Sequence, residues 1–401
     1  MDVYDILINM KILSLLNKKR VFLDYASTTP VLPEVLSAMK PFWNNKFANS
    51  SSLYAEAVVA KKAIENSRTD VARVLGARAQ EIYFTGSGTE SNNLAILGLF
   101  EFYRNKFVPH IITTTIEHPA VLEVCREIER RGGDVTYVSP EANGIVSAKD
   151  IFSKITERTI LVTVMMANNE IGTVQPIALI ARLIKKRREE KNTILPLIHT
   201  DACQAGNYLS LLVSTSGVDM LTLDGGKIYG PKGVGMLFVK KEIQINPIVW
   251  GGGQERGLRS GTENVSGIVG FAKALTIANR DRSAESARLS VFRDFLVKEI
   301  LAISPNITLN GDSVMRLPNN INVCLPGMLG EFVVIKMDTL GVAISSGSAC
   351  GTLSDTGASH VLKAIGKEEC ASSSIRITLG KYTTKKDLVF FLDCLKRIIA
   401  K

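Results

Sequence analysis

From Val21 to Leu237 the chain repeats one pattern: a short β-rich apolar run, a turn, then an amphipathic stretch of helical period. Near-continuous apolar runs fit strands buried on both faces. Strands that alternate with helices are joined by crossovers, so the pattern predicts a mostly parallel sheet covered on both sides. The strand-like runs are Glu81–Thr85, His110–Thr115, Asp134–Val138, Thr159–Ala167, Leu195–His199, Met220–Leu223 and Val234–Val239. Helices are expected after Ser91 to about Phe102, from about Pro119, and over Ile177–Arg188. After about Asn264 the pattern changes. Two long helical stretches, Val265–Asn279 and Ala284–Ile303, precede short runs at Ile307–Leu309, Ile321–Leu325, Val342–Ser345 and Ile375–Leu379, with helices at Glu331–Leu340 and Lys385–Ile399. The expected organisation is an extension (1–20), a large α/β domain (21–263) and a smaller C-terminal α/β domain (264–401).

Composition narrows the function classes. With 401 residues, 46% of them hydrophobic, a large core is expected, and no apolar run is long enough for a membrane-spanning helix. Lys plus Arg is 48 against 39 Asp plus Glu, a net charge of +9. The excess sits in short clusters (Lys18–Arg20, Lys185–Arg188, Lys240–Lys241, Lys385–Lys386), several at expected helix ends, without a nucleic-acid-binding motif. They read as solvated faces or a partner surface, and no direct nucleic-acid contact is expected. The 6 Cys show no CxxC and no zinc spacing, so neither a metal site nor a disulfide scaffold is expected. Cys350 excepted, the cysteines lie in apolar or helical contexts and read as packing. Residues 1–20 carry Asp2 and Asp5 and only one Arg, unlike a secretory or mitochondrial leader, and a cytoplasmic setting is the expectation.

Four segments carry chemistry. Thr85–Asn93 (TGSGTESNN) is a Gly/Ser/Thr turn between a strand and a helix, which suits a phosphate at the helix N-terminus or a plain capped turn. Asp201 lies at the end of an apolar strand, where it either faces a cationic ligand atom or caps the next turn. Lys227 follows a strand in a Gly-rich setting (DGGKIYGPKG), as a Schiff-base lysine or as a surface lysine in a loop. Cys350, in SSGSACGTLSDTG, lies in a Gly/Ser-rich loop that suits a reactive, mobile thiol. Together they describe a pyridoxal-phosphate enzyme that uses a thiol.

With these residues in order, the chain resembles the cysteine desulfurases, fold-type I pyridoxal-phosphate enzymes of the class V aminotransferases. The resemblance runs from about Val21 to the C-terminus, through LDYASTTP (23–30), Thr85–Asn93, Glu117-His118, NNEIG (168–172), DACQ (201–204), KIYGPKG (227–233), RSGT (259–262), SSGSAC (345–350) and SIR (374–376). It implies a mostly parallel seven-stranded sheet in the large domain. It also implies that Lys227 holds pyridoxal 5'-phosphate and moves protons, and that Asp201 pairs with the ring nitrogen. Gln204 would bond the ring's phenolic oxygen, and His118 would stack on the ring as acid/base. Gly88 and Thr89 would hold the phosphate. Asn168 and Arg376 would bind the substrate carboxylate, and Thr262 would reach the phosphate in the neighbouring subunit of a homodimer. The implied reaction converts L-cysteine to L-alanine and places the sulfur on Cys350 as a persulfide. An acceptor protein, such as an iron–sulfur scaffold or a tRNA-thiolation partner, would then receive it.

Two segments depart from the family. Asp224-Gly225-Gly226-Lys227 stands where Ser-Gly-His-Lys is usual, and Phe47–Ser52 replaces a Gly-Asn-Pro-Ser-Ser-like turn. An Asp aimed at a phosphate repels it. Either Asp224 turns away and backbone amides substitute, or cofactor affinity falls. The competing readings are a selenocysteine lyase-like enzyme, disfavoured by the Cys350 loop, and a non-catalytic relative that has lost the cofactor.

Overall fold

The computed structural model describes residues 20–347 and 358–400. Its strands are β1 (Val21–Phe22), β2 (Ile82–Thr85), β3 (His110–Thr114), β4 (Asp134–Val138), β5 (Thr159–Thr163), β6 (Leu197–Asp201), β7 (Met220–Asp224), β8 (Gly235–Val239), β9 (Thr308–Leu309), β10 (Asn320–Cys324), β11 (Val342–Ala343) and β12 (Ser374–Thr378). Seven of them form one sheet in the order β2-β8-β7-β6-β5-β3-β4. Pairs from β7 through β4 are parallel, and β8 runs antiparallel to both its neighbours, so it is the one reversed strand. The apolar runs thus build the expected sheet.

Successive residues of these strands enter different apolar clusters. Ile112, Val162, Ile198, Leu221 and Phe238 pack with helices Ala55–Leu75, Ile177–Lys191 and the first half of Val265–Leu301. Their neighbours Ile111, Leu161, Leu197, Met220 and Leu237 pack with helices Gly88–Tyr103 and Pro119–Arg130 on the other face. Side chains alternate across a strand, and both faces here meet helices, so apolar residues are required at every position.

The third cluster is C-terminal. It joins β10, β12 and helices Gly330–Thr339 and Lys385–Ile399 with Leu289, Leu296 and Ile300. Two features differ from the sequence reading. The helices expected at Val265–Asn279 and Ala284–Ile303 are one 37-residue helix, Val265–Leu301. The charged stretch Arg280-Asp281-Arg282 continues the helix, with Arg280 exposed and Asp281 and Arg282 half-buried. Ile277 packs in the first cluster and Leu289 in the third, so this one helix contributes to both cores. In addition, β1 pairs with β11, which ties Val21 and Leu23 to the C-terminal core.

Cys324 and Cys370, read from sequence as packing residues, form a disulfide. Of the basic clusters, Arg188 does lie in the last turn of its helix and pairs with Asp219. Lys385 and Lys386 instead begin theirs, whose N-terminus is capped by Thr384 and Asp387. No helix among the described residues is long and apolar enough to cross a membrane.

Candidate active site

The carboxyl ends of the parallel strands bring the chemistry to one edge of the sheet. Strand β6 ends at Asp201, β7 at Asp224, and a 3-10 turn (Gly225–Lys227) follows at once. Strand β2 ends at Thr85, and after two intervening residues helix Gly88–Tyr103 begins. Ligands of open α/β sheets bind at such an edge. The cavity found there is lined by Lys227, Asp201, His118, Gln204, Thr89 and Arg376, among others.

Lys227 is half-buried, and its Nζ donates to the Ala26 and Ser27 carbonyls at 2.9 and 2.5 Å. Its own carbonyl accepts from Asn207 Nδ2 at 2.7 Å, so the turn is held from both sides. Asp201 is buried. Its Oδ2 accepts from Asn92 Nδ2 at 2.7 Å and its Oδ1 from the Cys203 amide at 2.9 Å. Gln204 donates to the Ala26 carbonyl at 3.0 Å.

His118 is both a helix cap and a cavity residue. It is the N-cap of helix Pro119–Arg130, its Nδ1 accepting from the Ala120 amide at 3.1 Å, and its ring also lines the cavity. Burial pushes its pKa down, against the pull of Asp201. The ring is therefore neutral at pH 7, and the Ala120 bond assigns its proton to Nε2.

Gly88 starts its helix against Cys203 and Asp224. A Cβ at 88 would lie 2.8 Å from Cys203 Sγ and 3.2 Å from Asp224 Cβ, which is why glycine stands there. The Gly88 amide donates to Asp224 Oδ2 at 2.8 Å, and the Gly226 amide donates to Oδ1 at 2.8 Å. Asp224 thus does not turn away from the helix N-terminus.

Arg376, 2% exposed, donates from Nη2 to Asp24 Oδ1 at 2.8 Å and from Nη1 to the Asn169 carbonyl at 3.0 Å. Its Nε is buried without a partner among the described residues, and the residue is one of those lining the cavity. Asn168 is not at that wall. Its Nδ2 donates to the Ile116 carbonyl, and its Oδ1 accepts from the Glu170 and Ile171 amides, closing the turn. Asn169, the next residue, lines the cavity. Thr262 is exposed on the loop before helix Val265–Leu301 and does not line this cavity. Cys350 lies outside the described residues.

Sequence reasoning missed several supports. Ala26 and Ser27 act through backbone carbonyls, which carry no residue signature. Asn207 and Asp24 act through a single bond each. His360 Nε2 bonds the Glu117 carbonyl at 3.0 Å, beside His118, and is reached only through the tertiary fold.

The Aminotransferase class-V family model matches residues 21–391. The chain belongs to the class-V aminotransferase family. This class-V aminotransferase is 43% identical over 385 residues to a protein named cysteine desulfurase IscS from Dictyoglomus turgidum, covering 96% of this chain and 95% of that one. It is 40% identical to a protein from Bacillus subtilis named putative cysteine desulfurase IscS 1, covering 92% of this chain and 96% of that one. Among solved structures, one titled NifS-like protein superposes with a TM-score of 0.88 at 35% identity, covering 95% of this chain and 100% of that one. Another, titled SspA in complex with cysteine, gives 0.77 at 38% identity, covering 91% of this chain and all of that one. Within the class-V aminotransferases, the chain groups with the cysteine desulfurases.

Proposed function

We propose that this class-V aminotransferase is a pyridoxal-phosphate-dependent cysteine desulfurase. In the net reaction L-cysteine and the Cys350 thiol become L-alanine and a Cys350 persulfide. The substrate C–S bond breaks, an S–S bond forms on Cys350, and the thiol's proton is retained in the products. The observation that carries this reading is the meeting of Lys227 and Asp201, from two adjacent strand ends, at one cavity that also contains Arg376.

The donor set fits pyridoxal phosphate at its ring end. Lys227 offers an amine, and the Asp201 carboxylate, oriented by Asn92 and Cys203, suits a protonated ring nitrogen. When bound, the cofactor supplies an electron sink for the substrate α-carbon. Lys227 would hold it through Nζ and move the proton at that carbon. Neutral His118, with its proton on Nε2, would donate or accept beside the ring, and Gln204 would bond a ring oxygen. Thr89 and Gly88 would face the phosphate. Arg376, already fixed by Asp24 and Asn169, would use its unpartnered Nε and an adjacent Nη on the substrate carboxylate.

A homodimer with shared sites belongs to the same reading. Trp43, Phe47, Leu53, Tyr54 and Trp250 are exposed large apolar residues. Ser50 Oγ donates to Glu263 Oε2 at 2.8 Å, which ties the 43–54 segment to the loop carrying Thr262. An apolar surface of this kind suits a second copy of the chain, and Thr262 on its border suits a contact with the partner's cofactor. The persulfide would pass to an acceptor protein serving iron–sulfur cluster assembly or tRNA thiolation.

The test is spectroscopic. Wild type reconstituted with pyridoxal phosphate should show a visible band that changes on adding L-cysteine, and Lys227→Ala should lose the lysine-bound band. A colourless wild type after reconstitution would refute the reading.

A further inference from the structure

Asp224 ends β7 and caps the turn that carries Lys227. One carboxylate oxygen receives the amide of that turn (Gly226) and the other receives the first amide of helix Gly88–Tyr103 (Gly88), each at 2.8 Å. The remaining first-turn amides of the helix are partly committed as well. Glu90 donates to Ser87 Oγ and Ser91 to the Ser87 carbonyl. A helix N-terminus holds an anion through such amides, and here a carboxylate of the chain itself already sits on the leading one. Nearby cations are engaged elsewhere. Arg259 is balanced by its pair with Glu90, and Lys232 Nζ is held on the Thr29 carbonyl rather than on Asp224.

We propose that Asp224 is a built-in occupant of the phosphate cradle, so that this chain binds the phosphate end of its cofactor more weakly than it would with an uncharged residue at 224. The proposal rests on the pyridoxal-phosphate reading above and concerns how that site is filled. A phosphate brought to the Gly88 amide meets the Asp224 charge and competes with it for the same N–H. The ring end, built from Asp201, Gln204, His118 and Lys227, is untouched by this competition. Cofactor uptake should therefore depend less on the phosphate than the helix N-terminus alone implies.

The experiment compares two ligands on the full-length apoprotein: pyridoxal phosphate and pyridoxal, which lacks the phosphate. Dissociation constants are read from the visible band as each is titrated, with no turnover involved. The variants are Asp224→Ser and Asp224→Asn; the second keeps an acceptor for one amide and safeguards the fold, which circular dichroism checks. The expected result is that both variants bind pyridoxal phosphate at least about tenfold more tightly than wild type, the worth of one recovered charge-assisted hydrogen bond. Pyridoxal affinity should change by less than about twofold, because that ligand brings no charge to the cradle. Equal, tight uptake of pyridoxal phosphate by wild type and variants would overturn the proposal and leave the cofactor reading standing. Equal gains for both ligands would also overturn it, since the carboxylate would then act on the ring end. Failure of every folded form to take up either ligand would overturn the proposal and the cofactor reading together.

Discussion

Replacing Arg68 with alanine should damage the fold more than replacing both members of its ion pair. Arg68, in helix Ala55–Leu75, and Glu255, in the 3-10 turn Glu255–Gly257, have side chains only 4% and 2% exposed. They form two parallel bonds, Nη1 to Oε2 at 2.7 Å and Nη2 to Oε1 at 2.9 Å. Glu255 Oε2 also accepts the Phe84 amide at 2.9 Å, and Arg68 Nη1 donates to the Ile82 carbonyl at 2.8 Å. The pair thus pins β2 to the loop that leads to Thr262. Glu255 and Arg256 have φ of 46° and 56°, a left-handed backbone that surrounding contacts must hold in place. Without the guanidinium, Glu255 keeps one N–H partner in a buried site. Arg259 is paired with Glu90, and Arg256 donates to the Ile82 carbonyl. Breaking a buried pair from one side costs about 3–5 kcal/mol, whereas apolar groups of similar volume on both sides come near to neutral. Urea midpoints at one protein concentration for wild type, Arg68→Ala and Arg68→Met/Glu255→Leu test this. The single variant should lose at least about 3 kcal/mol and the double variant should recover most of it. A single variant within about 1 kcal/mol of wild type, or a double variant as damaged as the single, would refute the reasoning.

Three further outcomes follow from the site and its surroundings. Gly88→Ala should lower pyridoxal-phosphate uptake, because its Cβ would lie 2.8 Å from Cys203 Sγ; Gly88→Ala/Cys203→Ala should recover part of it, and no recovery would place the clash elsewhere. Glu117 is fully buried, and burial pushes its pKa from 4.5 up to about 8. The folded protein then holds a proton that the unfolded chain has released, so stability falls as pH rises from 4.5 to about 8. Between pH 5 and 8 wild type should lose on the order of 3 kcal/mol more urea stability than Glu117→Gln, and parallel profiles would contradict this. The Cys324–Cys370 disulfide spans 46 residues, a closure worth about 4 kcal/mol in the chain-entropy view. Reductant should lower the urea midpoint of wild type and leave Cys324→Ala/Cys370→Ala unchanged; an unmoved wild type would mean that the crosslink contributes nothing.

The residues legible in the sequence were those whose chemistry and backbone setting agree. Lys227 and Asp201 stand where apolar runs stop, and strand ends are where an α/β sheet collects ligands. The sheet was legible because both its faces are buried, which forces apolar residues at consecutive positions. The reversal of β8 was not, since a strand buried on both faces reads the same in either direction. Helix Ala55–Leu75 was missed because alanines and short side chains fill much of its buried face. The pairing of Cys324 with Cys370 depends on β10 meeting the segment before β12, a long-range contact that no spacing rule encodes. Asn168 and Asn169 show the limit of a motif. Both belong to the same turn, but only the folded backbone decides that Asn168 closes the turn while Asn169 faces the cavity.

In the proposed reaction L-cysteine gives up its sulfur to Cys350. Reconstituted wild type, mixed with L-cysteine and digested under non-reducing conditions, should yield L-alanine and a Cys350 peptide heavier by one sulfur atom. Cys350→Ala should give no persulfide, although L-cysteine still changes its visible spectrum. A persulfide on another cysteine, Cys203 at the cavity included, or one formed by Cys350→Ala at the wild-type rate, would contradict the account.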